Sequence, residues 1–215
     1  MVIDPSTAVP VIAIDGPSAS GKGTVAQILA NRLGWHYLDS GAIYRLLALA
    51  AANRSMSLSD ESALSQLALG MDAGFQGSDI FLDKQVVTDV IRSEACGRDA
   101  SVIAALPGVR IALLQRQRAY RKSPGLVADG RDMGTVVFPD AELKVFLTAS
   151  AVIRAERRHK QLKEKGIAAS MDALLHDLQE RDARDQARSV APLQQGPDSR
   201  LLDTSAMTIQ EAVDR

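Results

Sequence analysis

A single cysteine, Cys96, stands in a chain of 215 residues. That excludes an internal disulfide and any multi-cysteine metal site, and it fits a reducing compartment, with Cys96 as a small buried filler. Aromatic residues are scarce at 4%, which leaves the core to Leu, Ile, Val and Ala, as where helices cover a buried sheet. No stretch approaches the ~20 apolar residues of a membrane span, and the opening MVIDPSTAVPVIAID has no basic start followed by a long apolar run. A cytoplasmic protein is expected. An excess of one charge is also missing: the formal net charge of -1 gives no overall basic field for a nucleic acid polymer.

What is present is 46% apolar residues, enough for one domain with a full core. Charge is distributed locally. Asn53 to Glu94 carries seven acids against three basic residues, whereas Arg110 to Lys122 carries five basic residues and no acid. Short basic segments suit a small anionic ligand.

Apolar runs ending in Gly or Asp alternate with helix-length segments, the pattern of a parallel sheet with helices on both faces. Strands are expected at Val11 to Asp15, His36 to Asp39, Leu126 to Asp129, Lys144 to Leu147 and Leu201 to Asp203. The first helix carries Val25, Ile28, Leu29 and Leu33 on one stripe, with Gly34 placed to stop it. Further helices are expected from Ser150 to Lys165 and from Ser170 to about Ala187, and Thr208 with Glu211 has capping-box spacing. Gly74 to Ile91 breaks the pattern with short β-like runs separated by Gly77-Ser78-Asp79 and Asp83-Lys84, which reads as a small antiparallel insertion.

Between the first strand and the first helix lies GPSASGKGT, Gly16 to Thr24. In a G-x-x-x-x-G-K loop the backbone N–H groups face a phosphate chain, the lysine reaches the outer phosphates and the helix N-terminus adds its positive end. Gly16, Gly21 and Lys22 fill those places, so Gly16, Pro17, Ser18, Ala19, Ser20, Gly21, Lys22, Gly23 and Thr24 are candidates for ATP binding. Gly23 stands where the usual pattern has Ser or Thr, and the hydroxyl comes one residue later at Thr24. Magnesium is therefore expected to arrive with ATP, near Thr24 and Asp129, without direct protein ligands. Asp129 ends an apolar strand and is followed by Gly130, Arg131 and Asp132. In a doubly wound sheet such an end faces the ligand crevice.

DSGAIYR (Asp39 to Arg45), GLVADGRDMGTVVFPDA (Gly125 to Ala141) and RDARDQARSVAPL (Arg181 to Leu193), together with the GKGT loop, make the chain similar to the bacterial-type cytidylate kinases over nearly its whole length. The resemblance implies an α/β fold with a doubly wound, parallel, five-stranded P-loop sheet and helices on both faces. It implies one domain over 1–215, with a monophosphate-binding insertion at 60–100 and a helical lid at 150–168. It also implies transfer of the γ-phosphoryl group of ATP to CMP, and to dCMP, with Mg, by a chain expected to be a monomer. The catalytic residues would be Lys22, Asp129, Arg131 and Arg188. CMP would meet Ser40, Arg45, Ser101, Arg110, Arg131, Asp132, Arg181, Asp185 and Arg188, and the lid residues Arg154, Arg157 and Arg158 would close over ATP.

Several of these residues have plainer readings. Arg181, Asp185 and Arg188 at i, i+4 and i+7 also describe a surface salt-bridge row, and Arg154 to Lys160 a basic solvated helix face. Ser40 can simply cap the helix that follows. Arg116, Arg118 and Arg121 read as solvated helix charges, Trp35 and Tyr37 as core, and the acidic stretch from Asp60 to Glu94 as a solvated face. His36, His159 and His176 have no metal-binding spacing. A kinase for a hydroxyl acceptor and a nucleotide-dependent switch are the rival functions. Two departures from the family stand out: Ala19 where glycine is frequent, harmless if position 19 needs no positive φ, and the end at Arg215, which is expected to affect stability more than chemistry.

Overall fold

The computed structural model describes residues 9–77 and 79–215. In chain order the elements are β1 Val11–Asp15, α1 Lys22–Leu33, β2 His36–Asp39, α2 Ser40–Asn53, α3 Glu61–Gly70, β3 Ala73–Gln76, β4 Asp79–Leu82, β5 Gln85–Val86, α4 Thr88–Ile91, α5 Glu94–Ile103, α6 Pro107–Arg118, β6 Leu126–Gly130, β7 Leu143–Thr148, α7 Ala151–Glu164, α8 Met171–Gln186, β8 Arg200–Asp203 and α9 Ile209–Asp214. A π-helical turn, Met133–Val137, follows β6. The chain divides into two compact units, one of the described residues up to Leu38 with Arg118–Arg215, the other Asp39–Gln117.

The first unit is built on a five-stranded sheet of order β2-β6-β1-β7-β8. β1 pairs in parallel with β6 and β7, and β7 with β8. Each strand lies within a residue or so of its expected position, and the α/β class read from the alternation holds. Ile14, Val127 and Leu147 of the sheet meet Val25, Ala26 and Ala30 of α1 and Ala212 of α9 in one cluster, with Trp35 and Tyr37 packed against it. Burying a side chain of the Leu or Val class contributes about 1.5–3 kcal/mol, so this cluster fixes α1 directly behind the loop that precedes it. Gly34 ends α1 at φ 66, ψ 28 in the left-handed region, as its position in the sequence predicts. The Thr208–Glu211 capping box opens α9. Ala155 and Leu162 of α7 pack on Leu174 and Leu178 of α8, with Ala19 against them.

The second unit centres on α2, whose Leu46, Leu47, Ala50 and Ala51 are fully buried and which packs on α5. The expected antiparallel insertion is the sheet β3-β4-β5. Ser78, the centre of one of its two expected breaks, lies outside the described residues. The other break, Asp83-Lys84, is a turn with both residues at positive φ. Cys96 is buried, its Sγ donating to Arg45 O at 3.3 Å.

Three arginines differ from expectation. Arg116 donates to Met71 O at 2.6 Å and Ala73 O, Arg118 to Val137 O and Val136 O, and Arg121 to Val9 O and the Asp140 carboxylate, each at 2.6 Å. Arg116 and Arg121 are half-buried and not solvated helix charges, whereas Arg118 is exposed while it makes these bonds. Carbonyls at the ends of strands and turns lack ladder partners, and a guanidinium supplies several donors at once.

Candidate active site

In the first unit the loop from Gly16 to Gly21 joins β1 to α1 under tight steric control. A Cβ at Gly16 would lie 2.0 Å from Leu147 O, so only glycine lets the chain leave β1 so close to β7. Gly21 is the N-cap of α1 at φ 94, no side chain caps the helix, and its first turn holds no acid. The N–H groups at that end are thereby left for an anion, with the helix dipole in its favour. Lys22 is buried. Its Nζ donates to Pro17 O at 3.2 Å and stands 3.7 Å from Asp129 Oδ1. Thr24 is exposed. Ala19 has φ 58, so the condition under which alanine would be harmless there is not met. Left-handed backbone costs a non-glycine residue roughly 1–2 kcal/mol.

The glycine at 23 has a local cause. A Cβ there would come 2.9 Å from Asp129 Oδ2 and 3.6 Å from Tyr37 Oη, and Tyr37 Oη donates to that same Oδ2 at 3.4 Å. Asp129 thus occupies the space that a Ser or Thr side chain would need.

Arginines surround the loop from several elements. Arg131 Nη2 donates to Ser18 Oγ at 2.8 Å and its Nε to Asp185 Oδ2 at 2.9 Å. Asp185 is 1% exposed, and its other oxygen accepts from Arg188 Nη2. Burial opposes ionisation of Asp185, yet the charges of Arg131, Arg188 and Arg181 outweigh it and hold its carboxyl below the ordinary range. The i, i+4, i+7 row is therefore no exposed salt-bridge ladder, because Asp185 and Arg188 are buried.

Arg154 is also buried. It donates to Ala149 O and Ser18 O at 3.0 Å each and to Asp182 Oδ2 at 2.5 Å. Arg157 donates to Ser20 O, Thr204 O, Thr204 Oγ1 and Met207 O. Neither belongs to a solvated face, since both support the carbonyl side of the phosphate loop. Arg158 is half-buried and donates to Gln161 Oε1 at 3.2 Å.

Asp132 is buried directly after Arg131, and its carbonyl accepts from Val136 N and Val137 N in the π-helical turn. Asp15, not singled out by the sequence motifs, is buried at the end of β1. Its Oδ1 accepts from Met133 N at 2.7 Å and its Oδ2 from Gly134 N at 2.8 Å. Burial, with smaller contributions from the Asp132 and Asp129 charges, raises its pKa to about 7 against the pull of those two N–H bonds.

In the second unit Asp39, not Ser40, caps α2, accepting from Ala42 N at 2.9 Å. Ser40 is the first helical residue and donates to Gln117 Oε1 at 2.7 Å. Arg45 donates to Ile91 O at 2.5 Å and Ser93 O at 3.0 Å, and a Cβ at Gly97 would meet its Nη2 at 2.6 Å. Arg110 donates to Ala104 O at 3.0 Å and lies 5.7 Å from the centre of the Tyr44 ring, a cation–π distance. Ser101 is buried on α5. Tyr37, Thr204, Gln117 and Gly97 join Asp15 among the residues no motif marked, and Asp182, inside RDARDQARSVAPL, has no role in the sequence reading.

A buried lysine beside a helix N-terminus, with a carboxylate ending the neighbouring strand, is machinery for a phosphate chain. The model of the cytidylate kinase family matches residues 12–215. The chain belongs to that family. A cytidylate kinase of Pseudomonas paraeruginosa is 58% identical over 215 residues, covering 97% of this chain and 94% of its own. One of Pseudomonas aeruginosa is 59% identical over 213 residues, covering 96% and 93%. A crystal structure of an uncharacterized protein from Eubacterium ventriosum, 14% identical, covers 96% of this chain and 94% of its own with a TM-score of 0.50. That last likeness concerns the fold alone.

Proposed function

We propose that this chain transfers the γ-phosphoryl group of ATP to CMP, and to dCMP, giving ADP and the cytidine diphosphate. The observation that carries the reading is family membership over 12–215 in a chain that retains the GKGT loop and the Asp129-Gly130-Arg131-Asp132 segment. A nucleoside monophosphate has a second pKa of about 6, so near neutral pH its attacking oxygen is already anionic. It needs no strong base. What it needs is in-line placement and relief from repulsion between two anions.

Lys22, Arg131 and Arg188 in the first unit and Arg45 in the second are assigned that charge. Guanidinium groups suit phosphate oxygens because their N–H pairs match them. ATP is assigned to Gly16 through Thr24, with Arg154, Arg157 and Arg158 on the helix of the proposed lid at 150–168. CMP is assigned to Arg131, Asp132, Arg181, Asp185 and Arg188 of the first unit and to Ser40, Arg45, Ser101 and Arg110 of the second, with 60–100 as the monophosphate-binding insertion. The Asp132 carboxylate would accept from the exocyclic amine of cytosine, whereas uracil would set a carbonyl against it.

The donor set fits a hydrated magnesium ion. The buried Asp129 carboxylate stands beside Lys22, and with glycine at position 23 no Cβ crowds it. Mg keeps most of its waters and takes phosphate oxygens readily, so Asp129 and Thr24 would hold it through water. When bound with ATP, it supplies positive charge to the phosphate oxygens.

Among the described residues no helix is long and apolar enough to cross a membrane. The single buried thiol fits a reducing compartment, and a cytoplasmic chain acting as a monomer is proposed together with the kinase function. The direct test is product analysis after incubation with magnesium, ATP and CMP. Equal amounts of CDP and ADP are expected, and ADP without CDP would contradict the proposal.

A further inference from the structure

Arg131 and Asp132 form a two-residue arch between β6 and the π-helical turn. Both feet of that arch rest on one residue. Asp15 is the register partner of Gly130 in the parallel β1–β6 pair, and its carboxylate accepts from the N–H groups of Met133 and Gly134 immediately beyond the arch. The end of β1 therefore fixes where Arg131 leaves the sheet and where Asp132 hands over to the next turn.

We infer that Asp15 is a positioning residue for phosphoryl transfer, holding the 130–134 segment so that Arg131 and Asp132 meet the acceptor nucleotide in a fixed geometry. The inference rests on the CMP reading of those two residues. Three observations carry it.

First, two N–H donors on successive residues need two acceptor oxygens on one side chain, which the Asp15 carboxyl group supplies. An isosteric amide would set an NH2 group against one of the N–H groups. Second, the backbone of the segment is irregular. Asp132 at φ -147, ψ 24 belongs to neither helix nor strand, and no side chain caps the turn that follows it. Both glycines are closely packed, since a Cβ would come 2.7 Å from Met133 Cε at Gly130 and 3.0 Å from Lys144 Cγ at Gly134.

Third, the arrangement is costly to the fold. Among the described residues the Asp15 carboxylate bonds backbone N–H groups and no cation. The Asp129 and Asp132 carboxylates raise its energy. Lys144, on the neighbouring strand, directs its ammonium to Pro139 O and Asp198. A buried carboxylate kept at such expense, one residue before the phosphate loop, is better explained by what it holds than by stability.

The experiment compares the full chain with Asp15→Asn under saturating magnesium ATP. The expected result is a rise of about tenfold in KM for CMP and a comparable fall in the CMP-to-UMP ratio of kcat/KM, with KM for ATP within about twofold. An unchanged CMP-to-UMP ratio, or equal losses against ATP and CMP, would overturn the assignment. Amide exchange in the unsubstituted protein provides a check that does not depend on the variant folding. Met133 and Gly134 N–H should be protected, and exchange at the rate of open loops would also overturn it. Failure of the CMP reading itself looks different, because the unsubstituted enzyme would then turn over poorly with CMP while the amide protection remained.

Discussion

Asp185→Ala is expected to be among the most damaging single changes outside the hydrophobic core. Asp185 is 1% exposed, its Oδ2 accepts from Arg131 Nε at 2.9 Å, and its Oδ1 accepts from Arg188, whose side chain is 4% exposed. Removing the carboxylate takes one buried counter-charge from Arg188 and from Arg131 at the same time. Breaking a buried pair from one side costs about 3–5 kcal/mol. For a chain of 215 residues, where each kcal/mol shifts Tm by roughly 2–4 °C, the fall should be about 6–20 °C. Thermal unfolding followed by circular dichroism measures it. Kinetics on the folded fraction at low temperature should show a reduced kcat, because both guanidinium groups lose the carboxylate they share. A loss of stability below about 1 kcal/mol would refute the reasoning, since that is the scale of an exposed pair.

Asp15 and Asp185 should respond to pH in opposite senses. The Asp185 pKa is depressed, so its contribution is full at neutral pH and is lost on acidification below the ordinary carboxyl range. The Asp15 pKa is raised from 3.8 to about 7, so its neutral form favours folding at low pH and that stability is lost as pH rises through 7. The stability of Asp15→Asn relative to the unsubstituted chain should therefore increase between pH 4 and 7, by up to about 4 kcal/mol, and a pH-independent difference in urea titrations would contradict the shift. Gly23→Ser, which restores the more usual loop, should lower kcat at least tenfold by displacing Asp129, whose Oδ2 a Cβ would approach to 2.9 Å; wild-type turnover would show that Asp129 has room to move. Ala19→Gly should raise stability by less than about 1 kcal/mol, relief of left-handed backbone exceeding the added freedom of the unfolded chain. A fall in Tm would mean that packing of the Ala19 methyl on α7 and α8 outweighs the strain.

The sheet was legible because β1, β2, β6 and β8 are short runs that stop at Asp or Gly, and β7, which ends at Thr148, is a plain apolar run. Helix ends were legible where the signal is local: Gly34 and Thr208 cap as expected, and Ser150 and Ser170, expected to open their helices, stand just outside them as N-caps. The cap of α2 was not fixed by the sequence because Asp39 and Ser40 are both good caps and adjacent, and only the backbone turn decides that Asp39 is the one outside the helix. Arg116, Arg118 and Arg121 were misread because their carbonyl partners lie far along the chain. Asp15 was missed for a related reason. Its strand position is plain in the sequence, but its partners lie 118 and 119 residues away and are backbone groups that any residue type would supply. The Gly23 substitution was visible, whereas its cause, the Asp129 carboxylate, needed the β1–β6 register.

The measurement that bears most directly on this account is the initial rate of ADP formation from magnesium ATP with CMP, dCMP, UMP, AMP, GMP and shikimate supplied in turn. The account predicts fast turnover with CMP and dCMP and little with the other four. Preference for another acceptor would remove Ser101, Arg110 and Asp132 from the reading of cytosine, and tight ATP binding with no acceptor-dependent turnover would contradict the transferase function itself.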